Sequence, residues 1–258
     1  MADEGNADIR TCLALVVLQD KILTDKYVFN MTELELANGL SDIWHLLTEP
    51  QQKSLMDDAI TLTCDKGDYI YHDEEESIYL YCLIRGHAKL EKLGIGGRNQ
   101  IMRMFQPGDI FGYRSFFASQ EHTTEAIAIE DSVVACIPMT LIERFCHVNP
   151  DLAMYFVRNL AIDLGKSDLR TVELTQKHIR GRLAGSLVFL IDKYGFEADG
   201  RTLNIFLSRE DMASLSNMTT SNAIRTLASF AEEGIIAVDG RRIKVLDASK
   251  LKHINTQG

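Results

Sequence analysis

The sequence predicts an α+β protein in three parts: an all-β N-terminal body of jelly-roll type, one long helix, and a C-terminal helical head ending in a hairpin. Three observations predict it. Residues 63–138 form short runs rich in β-branched and aromatic residues, separated by Gly, Pro and Asp turn signals. Residues 151–174 carry apolar side chains at helical spacing with no Pro and a single Gly. Residues 208–245 hold two capped helical patterns followed by an alternating hairpin pattern. With 258 residues, 46% of them hydrophobic and 25% charged, the chain has globular composition and length enough for two domains.

In chain order, residues 1–30 are the hardest to place, because an apolar run from Cys12 to Leu18 is followed by the polar stretch QDKILTDKYVFN. Met31 opens the first clean helical pattern and offers an alternative start; an extra N-terminal helix packed on the body is the other reading. The terminus MADEGNADIR is acidic where a signal peptide would be basic, and the run after it is too short to cross a bilayer. The expectation is a cytoplasmic protein with no membrane partner. Between Leu40 and Leu62, apolar positions at Leu40, Ile43, Trp44, Leu46, Leu47, Leu55 and Met56 fit two short helices separated around Thr48-Glu49-Pro50, with Pro in a first turn.

The segments YIYH, IYLYCLI, AKLEKL, QIMRMF, TEAIAI and SVVACI then read as strands, giving eight or so in a jelly roll. After Pro138 the period turns helical. The long helix from Asp151 to about Leu174 runs for about six turns. A helix that long usually has a partner, although a seam through Phe156, Leu160 and Leu164, or Asp163 and Ser167, is imperfect for a coiled coil. A second helix is expected from an N-cap at Thr175 to Tyr194, burying Ile179, Leu183, Leu187 and Ile191 and stopping at Gly195.

The sharpest signal follows. Ser208 with Asp211 forms a capping box ahead of Met212 and Leu215, Ser216-Asn217-Met218 makes a turn, and Thr219 caps a helix running to about Glu233. On that last helix Ala223, Leu227 and Phe230, with Ile224 beside them, are the expected buried stripe. Ser221, Asn222, Arg225 and Ser229 take the opposite face, with Thr220 at the entry. Such side chains suit a DNA major groove, since Asn pairs with adenine, Arg with guanine, and Ser or Thr with base edges or phosphates. A solvated helix face in a small helical domain would look the same. Beyond Gly234, IIAV and RRIKVL flank Asp239-Gly240 as a two-residue hairpin turn, the wing of a winged helix, on which Arg241, Arg242 and Lys244 could meet phosphates or simply be solvated.

The formal charge of −10 at first speaks against nucleic acid. Its distribution reverses that. Residues 173–258 hold 12 Lys+Arg against 10 Asp+Glu, net +2, which leaves 15 against 27, net −12, for residues 1–172. The five cysteines (Cys12, Cys64, Cys82, Cys136 and Cys146) are odd in number and include no CxxC pair, so they read as reduced, mostly buried thiols.

Together the stretches KGDYIYHDEEE, YLYCLIRGHAKL, QPGDIFGY and LSREDMASLSNMTTSNAIRTLASFAEEGIIAVDGRRIKV resemble the bacterial Crp/Fnr family of transcription regulators over residues 38–248. Within the family, ELTQKHIRGRLA and LSNMTTSNAIRTL look closest to the regulators of the Bacteroides and Porphyromonas group. The resemblance implies an N-terminal extension (1–38), a cyclic-nucleotide-binding-like sensory β-roll (39–150), a dimerisation helix (151–174) and a winged helix-turn-helix domain (175–258). It implies a homodimer on double-stranded DNA, reading the half-sites of a palindrome, with RNA polymerase as a further partner if the protein activates. Carried over by position, Arg209 meets backbone phosphate, while Thr219, Thr220, Ser221, Asn222 and Arg225 lie at the groove with Arg241 and Arg242 on the wing. Ser221 stands where family members commonly place a cytosine-reading Glu, so the operator should differ from the best-known consensus.

The effector region departs further from the family. Members that bind cyclic AMP carry a Gly-Glu pair after the PGD-type turn and an Arg-Ser or Arg-Thr pair later. Here Gly112-Tyr113 and His122-Thr123 stand at those places, so both charged ligands of the nucleotide are missing. A neutral His is a poor substitute for a fixed cation at a phosphate, and no high-affinity cyclic-AMP response is expected. Gly112, Tyr113, Arg114, Ser115, His122 and Thr123 are the candidate pocket for an effector of unknown identity. Arg114 could serve a different anion or form an ion pair. Only Cys12 lies near the N-terminus, which argues against an iron-sulfur sensor. Haem stays open through His45, His72, His87, His122, His147 or Cys64, with no spacing that singles out a pair.

Two other classes compete. A cupin-type metalloenzyme would need two closely spaced His and a Glu on neighbouring strands, whereas His72, His87 and His122 stand apart. A ligand- or protein-binding module could instead use the winged helix to dock a protein. The expectation is a regulator and not an enzyme.

Overall fold

A computed structural model describes residues 31–94 and 96–257 of the chain. The expectations for residues 1–30 lie outside them. Among the described residues, three short helices come first: α1 (Glu33–Gly39), α2 (Ser41–Trp44) and α3 (Glu49–Asp58). Thr32 and Glu35 form a capping box at α1, and Thr48 and Gln51 form another at α3, so each start is fixed by satisfying the first free N–H groups. Eight strands follow among the described residues: β1 (Ile60–Cys64), β2 (Tyr69–Tyr71), β3 (Tyr79–Arg85), β4 (Ala88–Leu93), β5 (Asn99–Phe105), β6 (Ile110–Phe111), β7 (Glu125–Ala128) and β8 (Ser132–Pro138). Helix α4 (Tyr113–Phe117) lies between β6 and β7.

The strands form two four-stranded sheets, ordered β1-β8-β3-β6 and β2-β7-β4-β5. Strand β8 pairs antiparallel with β1 and β3 and is buried along its length except at Pro138, which explains its unbroken apolar sequence. Leu80, Leu83, Val134, Ile137, Met139 and Ile142 are essentially inaccessible, each contributing about 1.5–3 kcal/mol of burial. Two expectations are corrected here. Ile60–Cys64 is a strand and not the end of the helical region, and β6 with α4 occupies a stretch in which no element was foreseen. Two- and five-residue elements are too short to show a period.

Helix α5 (Met139–Val148) packs on β8 and β3. Helix α6 runs from Pro150 to Gln176, 27 residues, or about 40 Å at the usual rise. Helix α7 (Ile179–Tyr194) follows, with His178 and not Thr175 as its N-cap. The Thr175 hydroxyl bonds back to the Thr171 and Val172 carbonyls, so it sits inside α6 instead of opening a new helix. The remaining elements are α8 (Arg209–Leu215), α9 (Thr220–Glu232), β9 (Ile236–Asp239), β10 (Arg242–Val245) and α10 (Ala248–Gln257), the last not foreseen.

The described residues divide into two compact units, one comprising 31–88 with Phe105–Tyr155, the other Lys89–Met104 with 156–257. The β4–β5 hairpin therefore groups with the C-terminal unit. Within that unit, the Ser214 hydroxyl on α8 accepts from the Ile101 N–H at 2.8 Å and donates to the Asn99 carbonyl at 2.9 Å. Arg170 on α6 donates to the carbonyls of Ile101 (2.7 Å), Met102 (3.3 Å) and Leu215 (3.1 Å). Strand β5 is the edge of its sheet, and these side chains satisfy backbone groups that an edge leaves unpaired. Lys89 bridges Glu91 at 2.5 Å and Asp211 at 2.6 Å, and Asn99 also donates to Glu91. Burial alone would depress the Lys89 ammonium, but its two carboxylate partners outweigh that and hold its pKa above the ordinary value.

Candidate nucleic-acid interface

The head is assembled around α7, whose Leu183, Leu187 and Leu190 are buried. A Cβ at Gly185 would come within 2.6 Å of Asn255 Oδ1, so glycine is what allows α10 its close approach. Ser208 accepts from the Asp211 N–H at 2.9 Å as the N-cap of α8, the capping box expected there. The turn to α9 is held from α7: Arg182 donates to the Ser216 and Asn217 carbonyls at 3.1 Å each, and Ser216 and Ser186 share a buried hydroxyl bond of 2.8 Å. Asn217 takes φ +49°, a left-handed conformation that Asn tolerates better than most side chains. Thr219 caps α9 by accepting from the Asn222 N–H.

On α9, Ala223, Leu227 and Phe230 are buried as expected, whereas Ile224 is 48% exposed and does not belong to that stripe. Ser221 and Arg225 are exposed, and Arg225 donates to Asn222 Oδ1 at 2.5 Å, so the two polar candidates are joined to each other. Ser229 is drawn away from the outer face into a network with Arg180 (3.0 Å) and Glu233 (3.0 Å), above which Arg180 also covers the Phe230 ring.

The wing closes through a two-residue loop, Gly240-Arg241, because Asp239 pairs with Arg242; the expected Asp239-Gly240 turn is thus shifted by one residue. Gly240 takes φ +54° there. Arg209 donates to the Gly240 carbonyl at 2.6 Å, while its second guanidinium nitrogen is buried with no partner. Arg242 pairs with Glu197 at 3.0 Å and lies over Phe206, and Lys244 pairs with Asp199 at 3.0 Å. Two of the three wing cations are therefore neutralised locally. Arg241 is exposed at the loop and makes no ion pair among the described residues.

The second group of candidates surrounds α4. Gly112 caps it at φ +91°, where a Cβ would lie 2.6 Å from Tyr81. Tyr113 and Ser115 are buried. Arg114 donates to the hydroxyls of Thr123 (2.7 Å) and Ser115 (3.3 Å) and, among the described residues, to no carboxylate. His122 is 2% exposed, stacked on Tyr71 with centroids 3.7 Å apart, and its Nε2 has no hydrogen-bond partner. Burial pushes its pKa down to about 4; nearby Glu75 and Asp73 oppose the shift and Arg114 adds to it. The ring is neutral at pH 7. Tyr71, Tyr81, Phe111 and Phe105 continue the aromatic column beyond it.

Residues 61–149 match the cyclic nucleotide-binding domain and residues 181–254 match the Crp-like helix-turn-helix domain. The chain belongs to the Crp/Fnr family of transcription regulators. Among its Crp/Fnr relatives is the CRP-like cAMP-activated global transcriptional regulator of Mycobacterium tuberculosis, 24% identical over 72% of this chain and 84% of the relative. The anaerobic regulatory protein of Bacillus subtilis is 25% identical over 77% and 81%. The structure of FixK2 from Bradyrhizobium japonicum shares the fold at TM-score 0.70 and 24% identity, covering 78% of this chain and 98% of that one. A CRP-family transcriptional regulator from Thermus thermophilus gives TM-score 0.65 at 25% identity, covering 76% and 97%.

In this Crp/Fnr chain the sequence signals that placed residues correctly were local ones, namely caps and the apolar stripe of α9. Ile224 and Ser214 were missed as contributors to a surface and to β5, respectively. A hydroxyl on a short helix carries no mark of a partner 113 residues away. Among the described residues, no cluster of three or more His, Cys, Asp and Glu is placed to hold a metal, and no helix is long and apolar enough to cross a membrane.

Proposed function

We propose that this Crp/Fnr regulator acts as a homodimer on a palindromic operator, reads each half-site with α9, and is controlled by an effector other than cyclic AMP. The observation that carries the reading is the division of α9 into a fully buried stripe (Ala223, Leu227, Phe230) and an outward face bearing Ser221 and Arg225, entered through Thr220. Asn222 holds Arg225 before any DNA arrives, which favours a guanine contact by Arg225 with Asn222 as its support. Arg209 and Arg241 supply phosphate contacts, whereas Arg242 must first leave Glu197. This divides the cations expected at DNA into two kinds.

Helix α6 supports the dimer. The seam expected through Phe156 is not available, because Phe156 is buried in its own chain. Met154, Val157, Leu164, Leu169 and Val172 are instead exposed on the opposite side of the helix, with Ala161 and Gly165 between them. Such an apolar face on a 27-residue helix fits a second copy of itself.

For the effector, the M. tuberculosis relative is named as cAMP-activated. Here a buried neutral His122 and Tyr113 occupy the places where the family's nucleotide-binding members carry charges. Arg114, bound among the described residues to hydroxyls alone, is the cation available to a small anion. Selection from random duplexes with the full-length protein tests the reading, and enrichment of a palindrome is the expected result. Arg225→Ala should lower operator affinity by about tenfold or more per half-site while leaving random DNA nearly unchanged. Equal losses on both DNAs in a gel-shift titration would remove its base-reading role.

A further inference from the structure

Ile224 is the one large apolar side chain on α9 that the head does not bury: it is 48% exposed, while Leu227 and Phe230 are closed off at 2% and 0%. It lies in the second turn of the helix, three residues after Ser221 and next to Arg225, both exposed, and Ala228 one turn later is exposed too. A β-branched side chain here forgoes the burial that its neighbours achieve, in the middle of a face otherwise made of small polar groups and a guanidinium. A single exposed isoleucine means little elsewhere on a protein surface. Its position on the face that carries the candidate base readers is what gives it meaning. The base edges of the major groove offer one apolar group, the C5-methyl of thymine.

We infer that Ile224 is a specificity-determining residue that packs on the methyl group of a thymine in the half-site read by Arg225. The inference rests on the proposal that α9 reads DNA. It divides labour along the helix: Arg225, steadied by Asn222, takes a hydrogen-bonding edge, and Ile224 takes an apolar contact beside it. The operator should then contain a thymine that cannot be exchanged for cytosine or uracil without loss, even though no hydrogen bond reads it.

Removing the methyl without altering base pairing makes the test. The full-length protein first selects an operator from random duplexes, and each thymine of both half-sites is then replaced in turn by deoxyuridine. At one symmetric thymine position the wild type should bind about fourfold more weakly per half-site, the change that burial of one methyl-sized group carries. Ile224→Ala should lose that sensitivity, binding thymine and uracil operators within twofold of each other, and Ile224→Val should retain part of it. Circular dichroism of both variants controls for folding. If no thymine shows a methyl effect in the wild type, or if Ile224→Ala keeps the full effect, the inference is overturned while the selected operator still stands. Failure to enrich any sequence overturns the DNA-reading proposal and the inference with it.

Discussion

His122 illustrates what a single side chain contributes when its surroundings choose its charge. Its folded-state pKa of about 4 lies below the ordinary 6.5, so the unfolded chain binds the proton first. Stability is complete above about 6.5 and is lost as pH falls toward 4. Between pH 7.5 and 5 the loss from this residue alone is about 2 kcal/mol. Urea unfolding of wild type and His122→Phe at the two pH values should show a shallower dependence in the variant, which keeps the stacking on Tyr71 without the titration. Equal slopes would mean that the imidazole does not sense pH in the folded protein. Buried thiols tell the same story of desolvation, with Cys82 pushed up to about 12 and Cys136 higher still. These are packing residues, as their sequence pattern foretold.

At the scale of elements, the link between β5 and the α8 helix is made of few bonds that are individually replaceable. Ser214→Ala leaves the Ile101 N–H and the Asn99 carbonyl without partners and should cost about 2 kcal/mol of stability. Its particular signature is rapid hydrogen exchange at the Ile101 amide; persistent protection there would show that another group replaces the hydroxyl. Lys89→Met leaves the nearly inaccessible Glu91 carboxylate with Asn99 as a donor but without its cation, and should cost more, about 3 kcal/mol.

Elements also show what a sequence can disclose. The caps at Ser208 and Thr219 were legible because a cap is decided within four residues. The boundary at Thr175 was misplaced because the same hydroxyl can close a cap or bond back along a helix, and only the chain around it decides. Ile224 was misplaced because it is adjacent to Ala223, and one helical step is a rotation of about 100°, enough to carry a side chain from the core to solvent. The β5 to α8 bonds were invisible, since nothing in the local pattern relates Ser214 to Asn99.

For the molecule as a whole, charge and association are the relevant quantities. Of the 12 Lys and Arg in residues 173–258, Lys177, Arg180, Arg242, Lys244 and Lys250 are already paired with carboxylates, so fewer cations face DNA than the count suggests. On the proposed function, attraction to phosphate then falls to Arg209 and Arg241 beside the base contact of Arg225, and high-affinity binding depends on two heads acting together. Leu164, 64% exposed on α6, provides the test. Leu164→Glu should give a folded monomer by sedimentation equilibrium and lose most operator affinity. A dimer that survives the substitution would place the interface elsewhere.

The unpaired edge of β5 also has a history during synthesis. Phe105 ends that strand and Leu215 ends α8, 110 residues later, so at about 5–20 residues per second the ribosome needs roughly 5–20 s to deliver Ser214 after the strand itself has been made. Throughout that interval the Asn99 carbonyl and the Ile101 N–H await a hydroxyl that does not yet exist, whereas Arg170 arrives earlier for the Ile101 and Met102 carbonyls. Neighbouring nascent chains on one messenger RNA carry the same edge, so crowded polysomes are where this fold is most exposed to pairing with itself.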